Sequence, residues 1–253
     1  MFFKKGMPHI TKLYHICLDI LFPPLCLACN ILLSKSDKNQ QLCDTCLGKI
    51  IMHTTLLCPV CGNRLPNNSA EGGSSFGGKK ICHFESSYLL AAASDYHHNP
   101  IIEKLINVLK FQSTRAASVP LSYIMLKYFK LLNLKLKNFV VVPVPLHKKR
   151  FRERGFNQSE LLAKKIALGL NLPLNTNTLI KIKNTAAQTE VKNKNNREKN
   201  LIGCFRLNNE TLTGKNILLI DDVHTTGATA KTISEILKTN GAKKIIVLVA
   251  GRT

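Results

Sequence analysis

From residue 88 onward, apolar runs alternate with amphipathic stretches, and the alternation predicts strands separated by helices. Tyr88 to Ala93 is an apolar run of strand length. Asn99-Pro100 then opens a helix in which Ile101, Ile102, Leu105, Val108 and Leu109 share one face, with proline at the first helical position. A second helix is expected near Pro120 to Leu132. Phe139 to Val144, a near-continuous apolar β-branched run, reads as a strand buried on both faces of a parallel sheet. Asn157 and Glu160 form a capping box for a helix continued by Leu161, Leu162, Ala163, Ile166 and Ala167. Asn216 to Ile220 is another buried strand. The helix after it runs from about Gly227 to Asn240 and stops at Gly241, and Lys244 to Ala250 is the last strand. Strands alternating with helices predict an α/β fold with a doubly wound parallel sheet, which binds ligands beyond the carboxyl ends of its strands.

The first 86 residues have a different texture. Eight of the nine cysteines lie there, six of them in the Cys-x-x-Cys pairs Cys26/Cys29, Cys43/Cys46 and Cys58/Cys61. A reducing compartment leaves such thiols free for metal, and two intervening residues let both sulfurs of a tight turn converge on one zinc. Cys26, Cys29, Cys43 and Cys46 make one complete, structural site. Gly62 after the third pair can take the positive φ that such a turn tends to need. Cys58 and Cys61 require two further ligands, and Cys82 with His83 are the downstream candidates. His83 or His53 would complete a three-cysteine, one-histidine site; an incomplete site and a different interleaving of the pairs stay open. Cys17 and Cys204 read as small buried hydrophobes. Residues 67–80, with nine Gly, Ser or Asn in 14 positions, predict a flexible loop. The domains expected are a zinc-ribbon region at 1–86 and an α/β domain at 87–253.

Charge adds a partner class. The 253 residues carry 36 Lys plus Arg against 15 Asp plus Glu, for a net +21, and 45% are hydrophobic. The apolar fraction excludes disorder, and no run is long and uncharged enough to span a membrane. Asp19 and Pro23-Pro24 interrupt the N-terminal apolar stretch, so no signal peptide is expected and a cytoplasmic location is. Residues 1–90 hold nine bases and five acids, so 27 bases and ten acids remain for 91–253. That asymmetry favours a phosphate-rich partner for the second domain. A nucleic-acid backbone fits it, bound with little sequence preference because aromatics for stacking are few.

The sharpest chemistry falls where strand 216–220 ends. Asp221 and Asp222 are followed at once by Thr225-Thr226-Gly227-Ala228-Thr229 at the start of a helix. Backbone N–H groups and hydroxyls of that turn suit a phosphate, with Gly227 allowing close approach. The two carboxylates would accept hydrogen bonds from a ribose diol. A strand-to-helix turn capped by Asp and Thr also occurs without ligand, but carboxylates beside an anion site are economical only for a ligand carrying both phosphate and hydroxyls.

Ile217 to Thr229 resembles the phosphoribosyl pyrophosphate (PRPP) motif of type I phosphoribosyltransferases. Val142-Pro-Val-Pro-Leu-His147, with Lys148-Lys-Arg150 and Arg154-Gly-Phe-Asn-Gln158, resembles a stretch of the ComF family, competence proteins with an N-terminal zinc ribbon and a phosphoribosyltransferase-like domain. Thr185-Ala-Ala-Gln188-Thr189, Arg197, Asn200, Gly203-Cys-Phe205 and Leu109-Lys110-Phe111 fit the same family, and Cys82-His83 departs from its fourth cysteine pair. The resemblance implies a sheet of the type I phosphoribosyltransferase kind. It also implies PRPP binding, with magnesium, by Asp221, Asp222 and Thr225 to Thr229. His147, Lys148 and Arg150 are expected at the pyrophosphate, Arg197 approaches it from a lid at 181–199, and His224 needs no role. Single-stranded DNA handling in uptake and transformation is implied too, and Lys148, Lys149, Arg150, Arg152 and Arg154 are the candidate DNA contacts. A DNA-uptake helicase or other competence proteins are the expected protein partners. The alternative is a phosphoribosyltransferase of nucleotide or nucleobase metabolism with no DNA role.

Overall fold

The computed structural model describes residues 21–65, the backbone of 75–76 and 79–80, and residues 86–112, 114–184, 201–208 and 212–253. Cys17, Cys82, His83, Arg197 and most of the expected lid lie outside the described residues, as do Gln188, Thr189 and Asn200. In chain order the elements are α1 (Asp44–Gly48), β1 (Ser75–Phe76), β2 (Lys79–Lys80), β3 (Leu89–Asp95), α2 (Pro100–Phe111), α3 (Ser118–Leu131), β4 (Phe139–Pro143), α4 (Lys148–Arg154), α5 (Gln158–Leu170), β5 (Leu179–Lys181), β6 (Phe205–Leu207), β7 (Asn216–Ile220), β8 (Val223–His224), α6 (Ala228–Thr239) and β9 (Lys244–Arg252).

Two compact units divide the chain, Met1–Lys49 and Ile50–Thr253. The sequence draws its boundary between 86 and 87 instead. In the smaller unit Cys26, Leu33, Leu42 and Leu47 are buried around α1. In the larger, β3, β9, β7 and β4 lie side by side in that order, all parallel, and β8 continues beside the end of β9. Register sorts the strand residues into two faces. Leu90, Val247, Leu219 and Val142 form one row and Leu89, Ile246, Leu218 and Val141 the next. The first row packs with Ile233 and Leu237 of α6 and with Leu179 and Phe205 of the antiparallel β5–β6 ribbon. Across the sheet, α3 packs on β3 and β9 and α5 on β4 and β7. Apart from the half-buried Leu89, both rows are dry, which is why these strands read as unbroken apolar runs. Truncating a fully buried residue such as Leu219 to alanine would cost about 2–5 kcal/mol.

Neither outer strand ends the hydrogen bonding. Leu57 exchanges backbone hydrogen bonds with Leu90 of β3 at 2.8 and 3.2 Å. On the far side, Val141 of β4 donates to Pro173 O at 2.8 Å, and Asn175 N donates to Val141 O at 2.9 Å.

Three local features differ from the sequence reading. Residues 148–154, to which the apolar pattern assigns no element, form a helix, because the His147 side chain caps its start by accepting from Lys149 N at 3.2 Å and Gly155 ends it at φ +77°. Asn157 does cap α5 through Ser159 N at 3.1 Å, but Glu160 pairs with Lys164 at 2.7 Å instead of reaching back to close the capping box. The β5–β6 ribbon has no counterpart in the apolar pattern, since each strand is only three residues long.

Candidate functional site

All four long strands end at one cleft of about 410 Å³. Tyr96 follows β3, Val144 to Leu146 follow β4, Asp221 to Val223 follow β7, and Thr253 follows β9. Its acidic floor is built by the two residues between β7 and β8. Asp221 Oδ1 accepts from the Ser159 hydroxyl at 2.8 Å and from Asp222 N at 3.0 Å. The Asp222 side chain is 3% exposed and lies 3.1 Å from the Lys110 ammonium through Oδ1. Its Oδ2 is buried with no hydrogen-bond partner among the described residues. Burial, followed by the charge of Asp222, pushes Asp221 up to about 7, against the Ser159 hydroxyl and Lys110, which favour ionisation.

Beyond the acids the backbone turns sharply. Gly227 sits at φ +77° before the first residue of α6, and Thr226 Oγ1 accepts from Ala228 N at 3.4 Å. A side chain at 227 would be excluded twice, by the positive φ and by His224 Nε2 and Tyr88 Oη, each 2.9 Å from where its Cβ would stand. Those two atoms are themselves 2.9 Å apart. Burial, with Arg252 second, holds His224 down at about 4, so it is neutral. The histidine expected to need no role therefore lies directly under the turn. Thr225 and Thr229 line the cleft, whereas Thr226, Gly227 and Ala228 do not; Gly227 borders a small adjoining void.

The opposite wall comes from α4. Arg150 and Arg154, one turn apart, line the cleft with Gln158, to which Arg154 Nη1 donates at 2.8 Å. Lys148, Lys149 and Arg152 are exposed and lie outside the cleft lining, as does His147. The helix thus splits the basic run into an inward pair and an outward group, which a loop would not have done. Lys181 of β5 also lines the cleft, its ammonium 5.4 Å from the Phe205 ring centre, where burial makes it less basic than usual.

Sequence reasoning gave Lys110, Ser159, Lys181, Tyr88 and Tyr96 no chemical role. Lys110 belongs to the Leu109-Lys110-Phe111 segment and could have been picked out as a cation at the end of a helix following a strand. Ser159 and Tyr88 carried no local signal, because their partners Asp221 and His224 lie 62 and 136 residues away in the chain.

The first cysteine set converges. The sulfurs of Cys26, Cys29, Cys43 and Cys46 lie within 4.8 Å of one another, with Cys29 and Cys43 at 3.7 Å. A tetrahedral zinc with bonds of about 2.3 Å places its sulfurs about 3.8 Å apart, so the set fits that ion. Cys43 N and Cys46 N donate to sulfurs of the set at 3.4 Å each. Burial resists ionisation of Cys26, but N–H groups of Cys43, Cys29 and Ala28 outweigh it and bring its thiol to about 7. Burial and the neighbouring sulfurs push Cys46 the other way. Four thiols this close ionise together only around a cation, and with four protein ligands the zinc is structural.

The third pair repeats the first turn. Asn30 N bonds to Cys26 O and Cys26 N to Ile31 O; Gly62 N bonds to Cys58 O and Cys58 N to Asn63 O, all at 2.8–2.9 Å. Asn30 and Gly62 both take left-handed φ, +62° and +75°. His53, one candidate fourth ligand, lies instead 3.4 Å from Asp95 through Nε2.

Comparisons with known proteins agree with this division of chemistry. A double zinc ribbon domain matches residues 17–83, and a phosphoribosyl transferase domain matches residues 157–252. The DNA utilization protein YhgH of Salmonella typhimurium is 31% identical over 235 residues, covering 91% of this chain and 98% of that protein. The competence protein ComFC of Bacillus subtilis is 29% identical over 208 residues, 80% of each chain. Competence protein F of Haemophilus influenzae is 34% identical over 109 residues, 42% of this chain and 47% of that one.

Proposed function

Because the chain belongs to the family of YhgH and ComFC, a zinc ribbon joined to a phosphoribosyltransferase domain, we propose that it binds PRPP in the cleft and serves in natural competence, handling single-stranded DNA in the cytoplasm. The observation that carries the ligand reading is one cleft lined by three chemistries: Thr225 and Thr229 of the turn at the start of α6, the carboxylate pair beside them, and Arg150 with Arg154. The turn takes the 5′-phosphate, where N–H groups and the positive end of a 12-residue helix converge. Asp221 and Asp222 take the ribose hydroxyls. Arg150 and Arg154 take the pyrophosphate, which would bring magnesium with it because two linked phosphates need neutralising.

Transfer of the phosphoribosyl group to a nitrogen acceptor uses the same arrangement. Loss of pyrophosphate leaves positive charge on the ribose, and the carboxylates oppose that charge. The outward group Lys148, Lys149 and Arg152 favours the DNA role over a purely metabolic enzyme, since those residues stand clear of the cleft and are free to meet a phosphodiester backbone. Among the described residues, no helix is long and apolar enough to cross a membrane. Calorimetric titration with PRPP and Mg²⁺ tests the ligand reading. Saturable binding that Asp221→Asn with Asp222→Asn abolishes is expected, and binding unchanged in that double variant would refute it.

A further inference from the structure

The end of the sheet away from the cleft is rich in lysine. β9, β7 and β4 are neighbours, and three segments bring their amino ends together: 130–138 before β4, 212–216 into β7 and 238–244 into β9. These segments hold seven lysines and no Asp or Glu. All the lysines except the half-buried Lys244 are exposed. The hydrogen-bond ladder runs on into them: Lys243 N donates to Lys215 O at 2.8 Å, Asn216 N to Asn138 O at 3.0 Å, and the Asn216 side-chain amide to Lys137 O at 2.8 Å. The backbones of Lys243 and Lys215 are therefore one strand spacing apart, about 4.8 Å. Lys137 is next in the row, on the β4 side.

Helix ends account for two of the seven. Lys130 and Lys238 lie in the last turns of α3 and α6, where a cation offsets the partial negative charge of the helix terminus. The Lys238 ammonium donates to Lys243 O at 2.7 Å, and burial, followed by the charge of Lys244, makes it less basic than usual. Lys137, Lys215 and Lys243 have no such task. They precede strands, their like charges oppose one another, and among the described residues none of their ammonium groups meets a carboxylate. A polyanion that meets all three relieves that repulsion.

We infer that this end of the sheet is a second nucleic-acid contact, in which Lys137, Lys215 and Lys243 hold phosphates of single-stranded DNA on the side away from the PRPP cleft. The choice of polyanion rests on the DNA role proposed above, and the site is separate from α4. β7 is five residues long, so about 16 Å of strand stands between the lysine row and Asp221. DNA at this end and PRPP in the cleft consequently bind together without competing. The three segments contain no aromatic residue, so the contact reads phosphate charge and not bases. Leu131 is the one exposed large hydrophobic residue in them. That is too little apolar surface to embed in lipid, which favours nucleic acid over an anionic membrane.

The test is fluorescence anisotropy of a labelled oligothymidylate with the full chain over a range of salt concentrations. Lys137→Gln with Lys215→Gln and Lys243→Gln is expected to weaken DNA binding about fivefold or more, and to flatten its salt dependence by about 2, at about 0.7 for each phosphate no longer neutralised. PRPP affinity, read by calorimetry, is expected to stay unchanged, and the matching triple Lys→Arg variant to keep its DNA affinity. Lys35→Gln with Lys104→Gln and Lys164→Gln removes the same charge from exposed positions outside the three segments, and should leave DNA affinity within about twofold because distant charges are screened. Unchanged affinity and slope in the first variant, or an equal loss in this control, overturns the second contact and leaves the DNA role to α4. Binding to vesicles of anionic phospholipid that the first variant loses, with DNA binding intact, overturns it as well. Failure of the unmodified chain to bind DNA at all overturns the DNA role and this contact together.

Discussion

Lys110 and Asp222 meet at 3.1 Å, and the aspartate is the far more deeply buried of the two, at 3% side-chain exposure against 21%. The ammonium is therefore the counter-ion that makes this carboxylate tolerable in the ligand-free protein. Lys110→Ala leaves Asp222 buried and unpaired, a change that costs about 3–5 kcal/mol for fully buried pairs and less here because Lys110 reaches solvent. The expected result is a melting temperature lowered by several degrees at pH 8 and largely restored in Lys110→Ala with Asp222→Asn.

Asp221 makes stability depend on pH. Its folded pKa, about 7, lies above its ordinary value of 3.8, so the folded state holds the proton more tightly than the unfolded one. Its contribution is present in full below about pH 4 and is lost as pH rises through 7. Asp221→Asn should accordingly raise the melting temperature of the ligand-free protein at pH 8, raise it less at pH 5, and change it little near pH 4. A larger gain at pH 5 than at pH 8 would contradict the assignment.

Gly227→Ala places a methyl group 2.9 Å from His224 Nε2 and Tyr88 Oη at a φ of +77°. About 1–3 kcal/mol of strain is expected. PRPP affinity should fall by tenfold or more, because the turn cannot hold its N–H groups in place, while circular dichroism stays native. Retained affinity in calorimetry would show that the turn is not the phosphate site.

Removing metal should act on the small unit. Cys43→Ser, or treatment with a strong chelator, is expected to release the zinc held by Cys26, Cys29, Cys43 and Cys46 and to unfold residues 21–49, since structural zinc contributes on the order of 10 kcal/mol. Hydrogen exchange read peptide by peptide should show the loss there and leave β7 and β9 protected. Metal analysis that gives no zinc from the unmodified protein would refute the ribbon.

The two faces of α4 predict separable effects. Changing Lys148, Lys149 and Arg152 to Gln should weaken single-stranded DNA binding and flatten its salt dependence by about 0.7 for each phosphate that is no longer neutralised. PRPP affinity should be unaffected. Arg150→Gln with Arg154→Gln should reverse the pattern. Equal effects of both sets on both ligands would merge the two surfaces into one.

Much of the fold and site could be read from residue order alone. The Asn216–Ile220 run coincides with β7, because a strand dry on both faces leaves a continuous apolar signature bounded by polar residues. Asp221, Asp222 and the Thr225–Thr229 turn were legible because they are contiguous. Lys110 and Ser159 were not, as their part in the cleft depends on helix packing that brings distant segments to one strand end. Five bases in seven residues at 148–154 hid a helix, whose capping comes from His147 and Gly155 outside the run. Charge told how much of the cleft is basic, and only the helix told which bases face it.

The backbone hydrogen bonds of Leu57 with Leu90 and of residues 173–175 with Val141 have a consequence for how the protein behaves in a crowded solution. A parallel sheet of four apolar strands is a template on which a second sheet could grow from either side. Here each outermost strand is already met by a piece of irregular chain that takes the N–H and C=O of Leu90 on β3 and of Val141 on β4, so a neighbouring strand would have to displace it to pair there. The repeated cysteine turn that begins at Leu57 therefore also acts as a guard against self-association. A lesion in it should appear first as loss of solubility rather than as loss of ligand affinity.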